Sequence, residues 1–420
     1  MAGLRYAGPS YDFTQPGLLN RQTTSDPLFQ WRRNYAKRQN RVVNVGMLGD
    51  SIAFGQGITV GTTPDRTNSV DYMSRQLQRL LNGVQGYNER NWVDDAVGTI
   101  TTYQNPSQGG YSLRLRHVQA GGFADPWKLV SGSVTYPLRG LGLSSLQLAA
   151  GTRISYTAES STGFAWWYEN GASQIGSLNA TAYAGDYSSS PTAYYSNNGG
   201  SPVDTSIAQY SRSFVAWELP RGKWTFELSV NTGTPVVDMV YVFDGDWSRG
   251  VRVYNLAHGG IGSADLMANN TQANTAATNA PKLELFDTGR GIDLYILYIG
   301  AGDYSGGVSG TTFQANLEAI IDKYRAAQTR TCAFLLVSHF ARYDNVSPTV
   351  PWSTYKAAMK AVTKTRTQTD YIDLEPWFPA SQAADTDDDL VDSSGVHLTN
   401  QGQGLAAQLI AEKLMFAEVM

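Results

Sequence analysis

The sequence predicts a three-layer α/β fold with a parallel central sheet, split by an inserted β-sandwich of jelly-roll type. Three observations carry this. Short apolar runs alternate with amphipathic segments between residues 42 and 81 and again after 250, the pattern of buried parallel strands separated by helices. Between them the texture changes to Gly, Ser, Thr, Tyr and Trp, with few helix formers. At about 150 residues per domain, a length of 420 residues asks for two or three domains.

Residues 1–30 are polar and punctuated by Pro9, Pro16 and Pro27 with Gly3, Gly8 and Gly17, the composition of an extended arm, either an attachment segment or a frayed end. No apolar stretch follows a basic start there, so ordinary secretory export is not expected. No run approaches the roughly 18 apolar residues of a membrane span, so membrane insertion is not expected either. The α/β part opens over 31–98. Val42, Val43, Asn44, Val45, Gly46, Met47 and Leu48 form a short run closed by Gly49, as in a strand buried on both faces. Met73, Leu77, Leu80 and Leu81 then mark one face of a helix, with Gly83 as its stop.

The insert occupies 99–250. Arg153 to Tyr156, Phe164 to Tyr168, Phe214 to Leu219, Trp224 to Val230 and Val236 to Phe243 read as short strands, separated by turn signals such as Asn170-Gly171 and Pro220-Arg221-Gly222. Over 251–420 the alternation returns. Val251–Leu256, Asp293–Ile299, Cys332–Ser338 and Tyr371–Leu374 are the strands, with helices around 263–279, 312–327, 352–366 and 400–416. One α/β domain interrupted by a β domain is the economical reading.

Composition narrows the function. The chain has 32 Lys and Arg against 36 Asp and Glu, a net charge of -4, too little positive charge for a general binder of phosphate backbones. Nucleic acid is not an expected partner. With 24 Tyr, 14 Phe and 10 Trp, the chain has apolar surface that a disordered protein lacks. The one cysteine, Cys332, sits in the apolar run Ala333 to Val337 and reads as a small buried hydrophobe.

Ligands of open α/β sheets bind at the carboxyl ends of the strands. The first strand is followed by Gly49-Asp50-Ser51, the second by His258-Gly259-Gly260, the third by Gly300-Ala301-Gly302-Asp303. Asp392-Ser393-Ser394-Gly395-Val396-His397 precedes the last helix. A hydroxyl becomes a nucleophile when a base takes its proton, and acyl transfer needs donors where the oxyanion develops. Ser51, His397 and the N–H groups of Ser51 and Gly260 are residues of the right kind in the right order.

That order resembles the SGNH, or GDSL, hydrolase superfamily, whose four blocks are a GDS serine, a glycine after the second strand, the asparagine of GxND, and a DxxH pair near the C-terminus. The resemblance covers 31–98 and 251–420 and leaves out the insert. It implies a flavodoxin-like three-layer sheet, with Ser51 as nucleophile, Gly260 as oxyanion donor and His397 as general base, and no cofactor. Similar β modules interrupt family members that deacetylate cell-wall glycans. The stretch Trp31 to Gly57, WRRNYAKRQNRVVNVGMLGDSIAFGQG, resembles SGNH proteins encoded in actinobacterial phage tail regions.

Two positions depart from the pattern. Gly302 stands where GxND has asparagine, and loss of one oxyanion donor costs about 100 to 1,000-fold in rate. Ser394 stands where DxxH has aspartate, and a histidine held in the wrong tautomer costs about 10,000-fold. Asp392 is the nearest replacement acid, with Asp387, Asp388 and Asp389 further off. One reading is a working esterase, with Asp392 or a backbone carbonyl orienting His397, and water or the Gly302 N–H filling the gap. The other is a degenerate fold kept for binding.

Other residues have plainer readings. His117 and His258 lack ligand-spaced partners, His339 follows the fourth strand and could line the cleft, with packing the safer reading, and no cluster supports a metal. Asp303 is expected to make structural hydrogen bonds. The run Asp385 to Asp389 reads as a solvated loop, with cation binding as the alternative. Trp166, Trp167, Tyr168, Tyr183, Tyr187, Tyr194 and Tyr195 could stack on sugar rings or fill a sandwich core. Gly55-Gln56-Gly57 lacks the spacing of a phosphate loop.

The expectation is therefore an SGNH-type serine esterase acting on acylated bacterial cell-envelope glycan, with Ser51, His397 and Asp392 catalytic and Ser51, Gly260 and Gly302 at the oxyanion. It is expected in a phage tail, joined to other tail proteins through the arm, and possible as a homo-oligomer. The alternatives are a glycan-binding adhesin on the same scaffold and a cytoplasmic bacterial esterase.

Overall fold

The computed structural model describes residues 26–55, 73–82, 91–94, 127–135, 146–170, 176–186, 195–196, 203–204, 211–245, 249–257, 260–269, 291–326, 330–340, 342–344, 347–385 and 389–416. In chain order these hold helix α1 (Phe29–Tyr35), strand β1 (Val42–Gly49) and helices α2 (Ser51–Phe54) and α3 (Met73–Leu81). Then come β2 (Asn91–Asp94), β3 (Trp127–Ser131), β4 (Val134–Thr135), β5 (Leu146–Leu148), β6 (Arg153–Asn170), β7 (Gly176–Ala184), β8 (Tyr195–Ser196), β9 (Val203–Asp204), β10 (Ser211–Gly233) and β11 (Val236–Gly245). The α/β alternation resumes with β12 (Gly250–Asn255), α4 (Ser263–Asn269), β13 (Leu294–Tyr298), α5 (Ala301–Ser305) and α6 (Gly310–Ala326). It ends with β14 (Ala333–Ser338), α7 (Trp352–Thr365), β15 (Thr369–Asp373) and α8 (Asn400–Met415).

β12, β1, β13, β14 and β15 form a five-stranded sheet in that order, and every pairing in it is parallel. This is the flavodoxin-like order, and its first two strands in sequence flank the insert. All residues of β1, β13 and β14 are buried, as a sheet covered on both faces requires. Alternate residues face opposite layers. Val43, Val45 and Met47 pack with α1, α3 and α8 through Trp31, Leu77 and Ile410. Leu48, Tyr295 and Leu297 pack with α6 and α7 through Leu317, Ile320, Tyr355 and Val362.

Polar side chains finish what these apolar layers leave open. β12 is one edge strand, and two of its outward amides are taken by α3 and the residue that follows it: Val253 N–H donates to Gln78 Oε1 at 2.8 Å and Val251 N–H to Asn82 Oδ1 at 2.7 Å. Side chains four apart thus meet residues two apart on a strand and occupy amides that an exposed edge would offer to another chain. α1 docks on the end of α8, where Trp31 Nε1 donates to the Leu414 carbonyl at 3.0 Å and Arg32 to the Lys413 and Phe416 carbonyls. Cys332 is fully buried, and burial pushes its thiol up to about 12.

The inserted strands belong to one ten-stranded sheet whose pairings are antiparallel. It takes in β2, ahead of the expected boundary at 99, and ends at Gly245. Four of the expected short strands are two long ones. Arg153–Tyr156 and Phe164–Tyr168 lie on β6, and Phe214–Leu219 and Trp224–Val230 lie on β10. Pro220-Arg221-Gly222 is therefore not a turn between strands. It is an irregularity within β10, with register shifts against β6 from Glu218 to Trp224, and Trp224 Nε1 closes it on the Pro220 carbonyl at 2.8 Å. A sequence window cannot tell a bulge from a turn, because both want the same residues. The jelly-roll connectivity stays an expectation, since the described ladders form one network.

Gly49 ends β1 because nothing larger fits. A Cβ there would lie 2.0 Å from the Tyr298 carbonyl oxygen and 2.7 Å from the Ala53 Cβ. Gly49→Ala is expected to destabilise the protein by about 3 kcal/mol, the upper end of overpacking costs, read as a large fall in melting temperature. An unchanged melting curve would show that this turn relaxes freely.

Candidate active site

The site is assembled at the carboxyl ends of β1, β12 and β13. Past Gly49, Asp50 adopts an extended conformation and caps α2, its carboxylate accepting from Ile52 N–H at 3.0 Å. Its second oxygen accepts from Ala301 N–H at 3.1 Å, and its own N–H donates to the Tyr298 carbonyl at 3.3 Å. One buried side chain thus fixes the turn that presents Ser51 and the start of α5. Ser51 is the first residue of α2, so its N–H has no acceptor within the helix and is available to an oxyanion.

His397 reaches Ser51 from the loop before α8. Its Nε2 lies 3.1 Å from Ser51 Oγ, the separation needed to take the hydroxyl proton. The loop is rigid. Val391 and Leu398 form an isolated bridge, Asp392 N–H donates to the His397 carbonyl at 2.8 Å, Gly395 N–H donates to the Asp392 carbonyl at 2.9 Å, and Thr399 caps α8. His397 is buried.

Asp392 stands behind the imidazole, its Oδ2 3.6 Å from Nδ1, an ion-pair distance rather than a hydrogen bond. Its Oδ1 accepts from Ser394 Oγ at 2.5 Å, Ser394 N–H at 3.1 Å and His397 N–H at 3.3 Å. Ser394 Oγ is itself 3.5 Å from Nδ1. Burial works against the Asp392 charge, but the neighbouring His397 and Ser394 donors outweigh it and hold the carboxyl down at about 2. The acid that faces His397 is therefore ionised at neutral pH, and Ser394 aims it.

The oxyanion side is built from two further segments. Leu256 N–H donates to the Met47 carbonyl at 2.7 Å, extending the β12 ladder along β1. Gly260 follows at φ +76°, exposed. Ser263 then ties this segment to α5, its N–H and Oγ donating to Asp303 at 2.9 and 2.6 Å while Asn316 donates to Ser263 Oγ at 2.9 Å. Asp303 thus makes the structural bonds expected of it. Gly302 is the second residue of α5, where an N–H again lacks a helical acceptor. A Cβ at Gly302 would lie 2.9 Å from the Ile261 carbonyl oxygen and 3.3 Å from Gly262 N. Backbone of the Gly260 segment fills the place of the missing asparagine side chain.

The other candidates fall out as follows. His339 is fully buried against Trp352, with ring centroids 4.3 Å apart, and burial drives its imidazole down to about 3; it packs, as expected. Asp385 accepts from Leu390 and Val391 N–H at 3.1 and 2.7 Å, a loop-building role. Asp389 is exposed and its carbonyl accepts from the Thr399 hydroxyl, another loop-building contact, while Asp387 and Asp388 lie outside the described residues, as do His117, His258, Gly259, Tyr187 and Tyr194. Tyr183 is buried and serves the core of the insert; the side chains of Trp166, Trp167, Tyr168 and Tyr195 lie outside the description. Among the described residues no group of acidic, histidine or cysteine side chains could hold a metal ion.

The sequence reading missed three contributors. Asp50 was legible as an N-cap before Ser51, but its second bond, to Ala301, crosses the sheet. Gln403, fully buried, accepts from Met73 N–H at 3.1 Å and donates to the Ile52 carbonyl at 3.0 Å, and nothing in its local sequence marks it. Arg342, on the loop after β14, donates to the Ala301 carbonyl at 3.4 Å.

A serine hydroxyl, an imidazole beside it and a carboxylate behind the ring thus meet at the carboxyl edge of a 2-1-3-4-5 parallel sheet, the arrangement that the SGNH resemblance implies. A sequence model of the GDSL-like lipase/acylhydrolase family matches residues 238–405, a span that takes in Gly260, Gly302, Asp392 and His397. Over that span the chain matches the GDSL-like lipase/acylhydrolase family, and its fold is that of the SGNH hydrolases. A solved structure described as "Peptidoglycan O-acetylesterase in action" superposes over 93% of this chain and 95% of its own, with a TM-score of 0.60 at 14% identity. A family two carbohydrate esterase from Cellvibrio japonicus aligns over 70% of this chain and 96% of its own, with a TM-score of 0.29 at 12% identity. No curated protein matches the chain in sequence.

Two predictions follow from the geometry. Asp392→Ala should lower kcat on an ester by about 100 to 10,000-fold, and Ser394→Ala by about 10-fold, the smaller loss because the Ser394 and His397 backbone donors remain on Asp392. Equal activity of Asp392→Ala and the parent would remove Asp392 from the site. Asp50 gives a pH signature. Burial pushes its carboxyl up to about 6 against the pull of the Ile52 and Ala301 N–H groups, whereas an unfolded aspartate releases its proton near 3.9. The folded state therefore binds more protons between about pH 4 and 6, and stability falls as pH rises through that window. Asp50→Asn, less stable overall, should show a flatter melting temperature over the same range; parallel curves would refute a protonated Asp50.

Proposed function

We propose that this chain is a serine esterase that removes acyl groups, acetyl foremost, from a bacterial cell-envelope glycan, and that it does so as a phage tail component. The observation that carries the chemistry is the 3.1 Å contact between Ser51 Oγ and His397 Nε2, with the Asp392 carboxylate behind the ring. His397 takes the Ser51 proton as Oγ attacks the ester carbonyl. The oxyanion is met by the N–H groups of Ser51, Gly260 and Gly302, and Asp392 stabilises the imidazolium formed. His397 then gives that proton to the departing sugar oxygen as the ester C–O bond breaks, leaving an acyl-serine and the free sugar hydroxyl. Water, deprotonated by the same imidazole, attacks the acyl carbon, and the proton passes to Ser51 Oγ as the acid leaves.

The glycan is supported by the shared architecture with a peptidoglycan O-acetylesterase across nearly the whole chain, and by the antiparallel strands that lie in sequence between the first two strands of the parallel sheet. The tail assignment is supported by the resemblance over Trp31 to Gly57 and by the polar arm ahead of it. The competing reading is a glycan-binding adhesin on a degenerate esterase scaffold, which Gly302 and Ser394 would suit. The intact serine–histidine contact favours catalysis.

The test is hydrolysis of p-nitrophenyl acetate and release of acetate from O-acetylated peptidoglycan by the protein and its Ser51→Ala variant. Turnover of both substrates that disappears in the variant is the expected result. Retention of sacculus binding by both proteins with turnover by neither would establish the adhesin.

A further inference from the structure

We propose that Arg342 is a positioning residue for this hydrolysis, and that Arg342 to Asp344 form a strut setting the oxyanion side of the site against the histidine side. The proposal rests on the esterase reading above. The guanidinium is gripped on one side by Asp344, Nε to Oδ1 at 2.9 Å and Nη2 to Oδ2 at 2.5 Å. From the other side Nη1 donates to the Ser305 hydroxyl and, at 3.4 Å, to the Ala301 carbonyl. Ala301 is the residue whose N–H is held by Asp50, so the peptide groups on its two sides are fixed from beneath the site and from its rim. Gly302, the oxyanion residue, follows directly.

The next residue in the strut reaches the other side. Tyr343 N–H donates to the Gly395 carbonyl at 2.9 Å, and its hydroxyl donates to the Pro379 carbonyl at 2.5 Å. Gly395 stands two residues before His397 at φ +71°, and a Cβ there would lie 3.1 Å from Tyr343 Cβ and 3.2 Å from Asp344 N. The histidine loop is thus pressed onto the strut as well as bonded to it. Arg342 acts through Ala301, and Tyr343 through Gly395.

The residue type matters. A planar guanidinium bonded by two parallel contacts to Asp344 leaves its third nitrogen in a fixed direction, which a lysine ammonium cannot reproduce. A shift of about 1 Å in a catalytic segment can cost about 100-fold in rate. No residue of the strut belongs to the four family blocks, which is why the sequence motifs pass over it.

The experiment compares Arg342→Ala and Arg342→Lys with Arg366→Ala. Arg366 makes the same forked contact, at 2.8 and 2.7 Å to Asp322, on the surface away from the site. Arg342→Ala should lower kcat for p-nitrophenyl acetate by about 10 to 100-fold with KM nearly constant. Amide hydrogen exchange should rise in both 300–306 and 392–397 and stay unchanged in 313–326. Arg342→Lys should fall between, and Arg366→Ala should match the parent. Unchanged kcat and exchange in Arg342→Ala would overturn the proposal, as would a raised KM at constant kcat, which would make Arg342 a substrate contact. A parent without turnover would instead sink the esterase reading, and the exchange in the two segments would still decide whether the strut exists.

Discussion

The parallel ladder between β1 and β12 joins parts of the chain that the whole insert separates, and the segments carrying Ser51 and Gly260 leave the ends of its two strands. Val42 to Met47 lie register for register against Gly250 to Asn255. Closing a flexible loop of that length carries a cost of about 5 kcal/mol, growing by about 0.6 kcal/mol with each doubling. The insert removes most of that cost by folding with its ends together. Its entering strand β2 pairs with its leaving strand β11, Asn91 opposite Gly245, and β12 begins at Gly250. The connection the ladder closes is therefore short in effect, although the sequence between is long.

Around this frame the site is held by buried polar ties more than by apolar packing. Asp50, Asp303 and Gln403 are each at most 2% exposed, and each spends its hydrogen bonds joining two segments: the nucleophile turn to α5, the Gly260 segment to α5, and α2 to the start of α3. A buried acceptor left unmatched costs about 1–3 kcal/mol, so each tie penalises any displacement of either segment. Apolar contacts slide at little cost and cannot fix a position so sharply. The cost of this arrangement appears in Asp50, whose burial lifts its carboxyl to about 6.

What the sequence made legible follows the range of the interactions. The five parallel strands and the helices at 312–327, 352–366 and 400–416 rest on local periodicity, and the structure places them within a few residues. Ser51 and His397 were legible because strand-end motifs report where a sheet puts its ligands. The strut at Arg342 and the caps from Gln78 and Asn82 onto β12 were not, since each depends on a partner far along the chain. Asp392 was legible only as the nearest acid. Its dependence on Ser394 is a matter of rotamer, which spacing does not encode. The merging of four strands into β6 and β10 failed for a different reason, because Pro220 and Gly222 carry the same signal whether a strand turns or bulges.

The two departures from the family pattern share one physical form. At position 302 the asparagine side chain is absent, and the Ile261 and Gly262 backbone occupies its volume, so the donors left to an oxyanion are N–H groups of segments already fixed by Asp50 and Asp303. At position 394 the carboxylate is absent, and Asp392 supplies it by dividing its oxygens: Oδ1 takes the three bonds that build the loop, and Oδ2 faces the imidazole. In each case a flexible side chain has been exchanged for a group whose orientation other bonds determine, with no rotamer freedom left to lose when a transition state forms. Because the loop bonds are satisfied through Oδ1, Oδ2 is left to face the His397 imidazole, so one carboxylate both builds the loop and stands behind the ring.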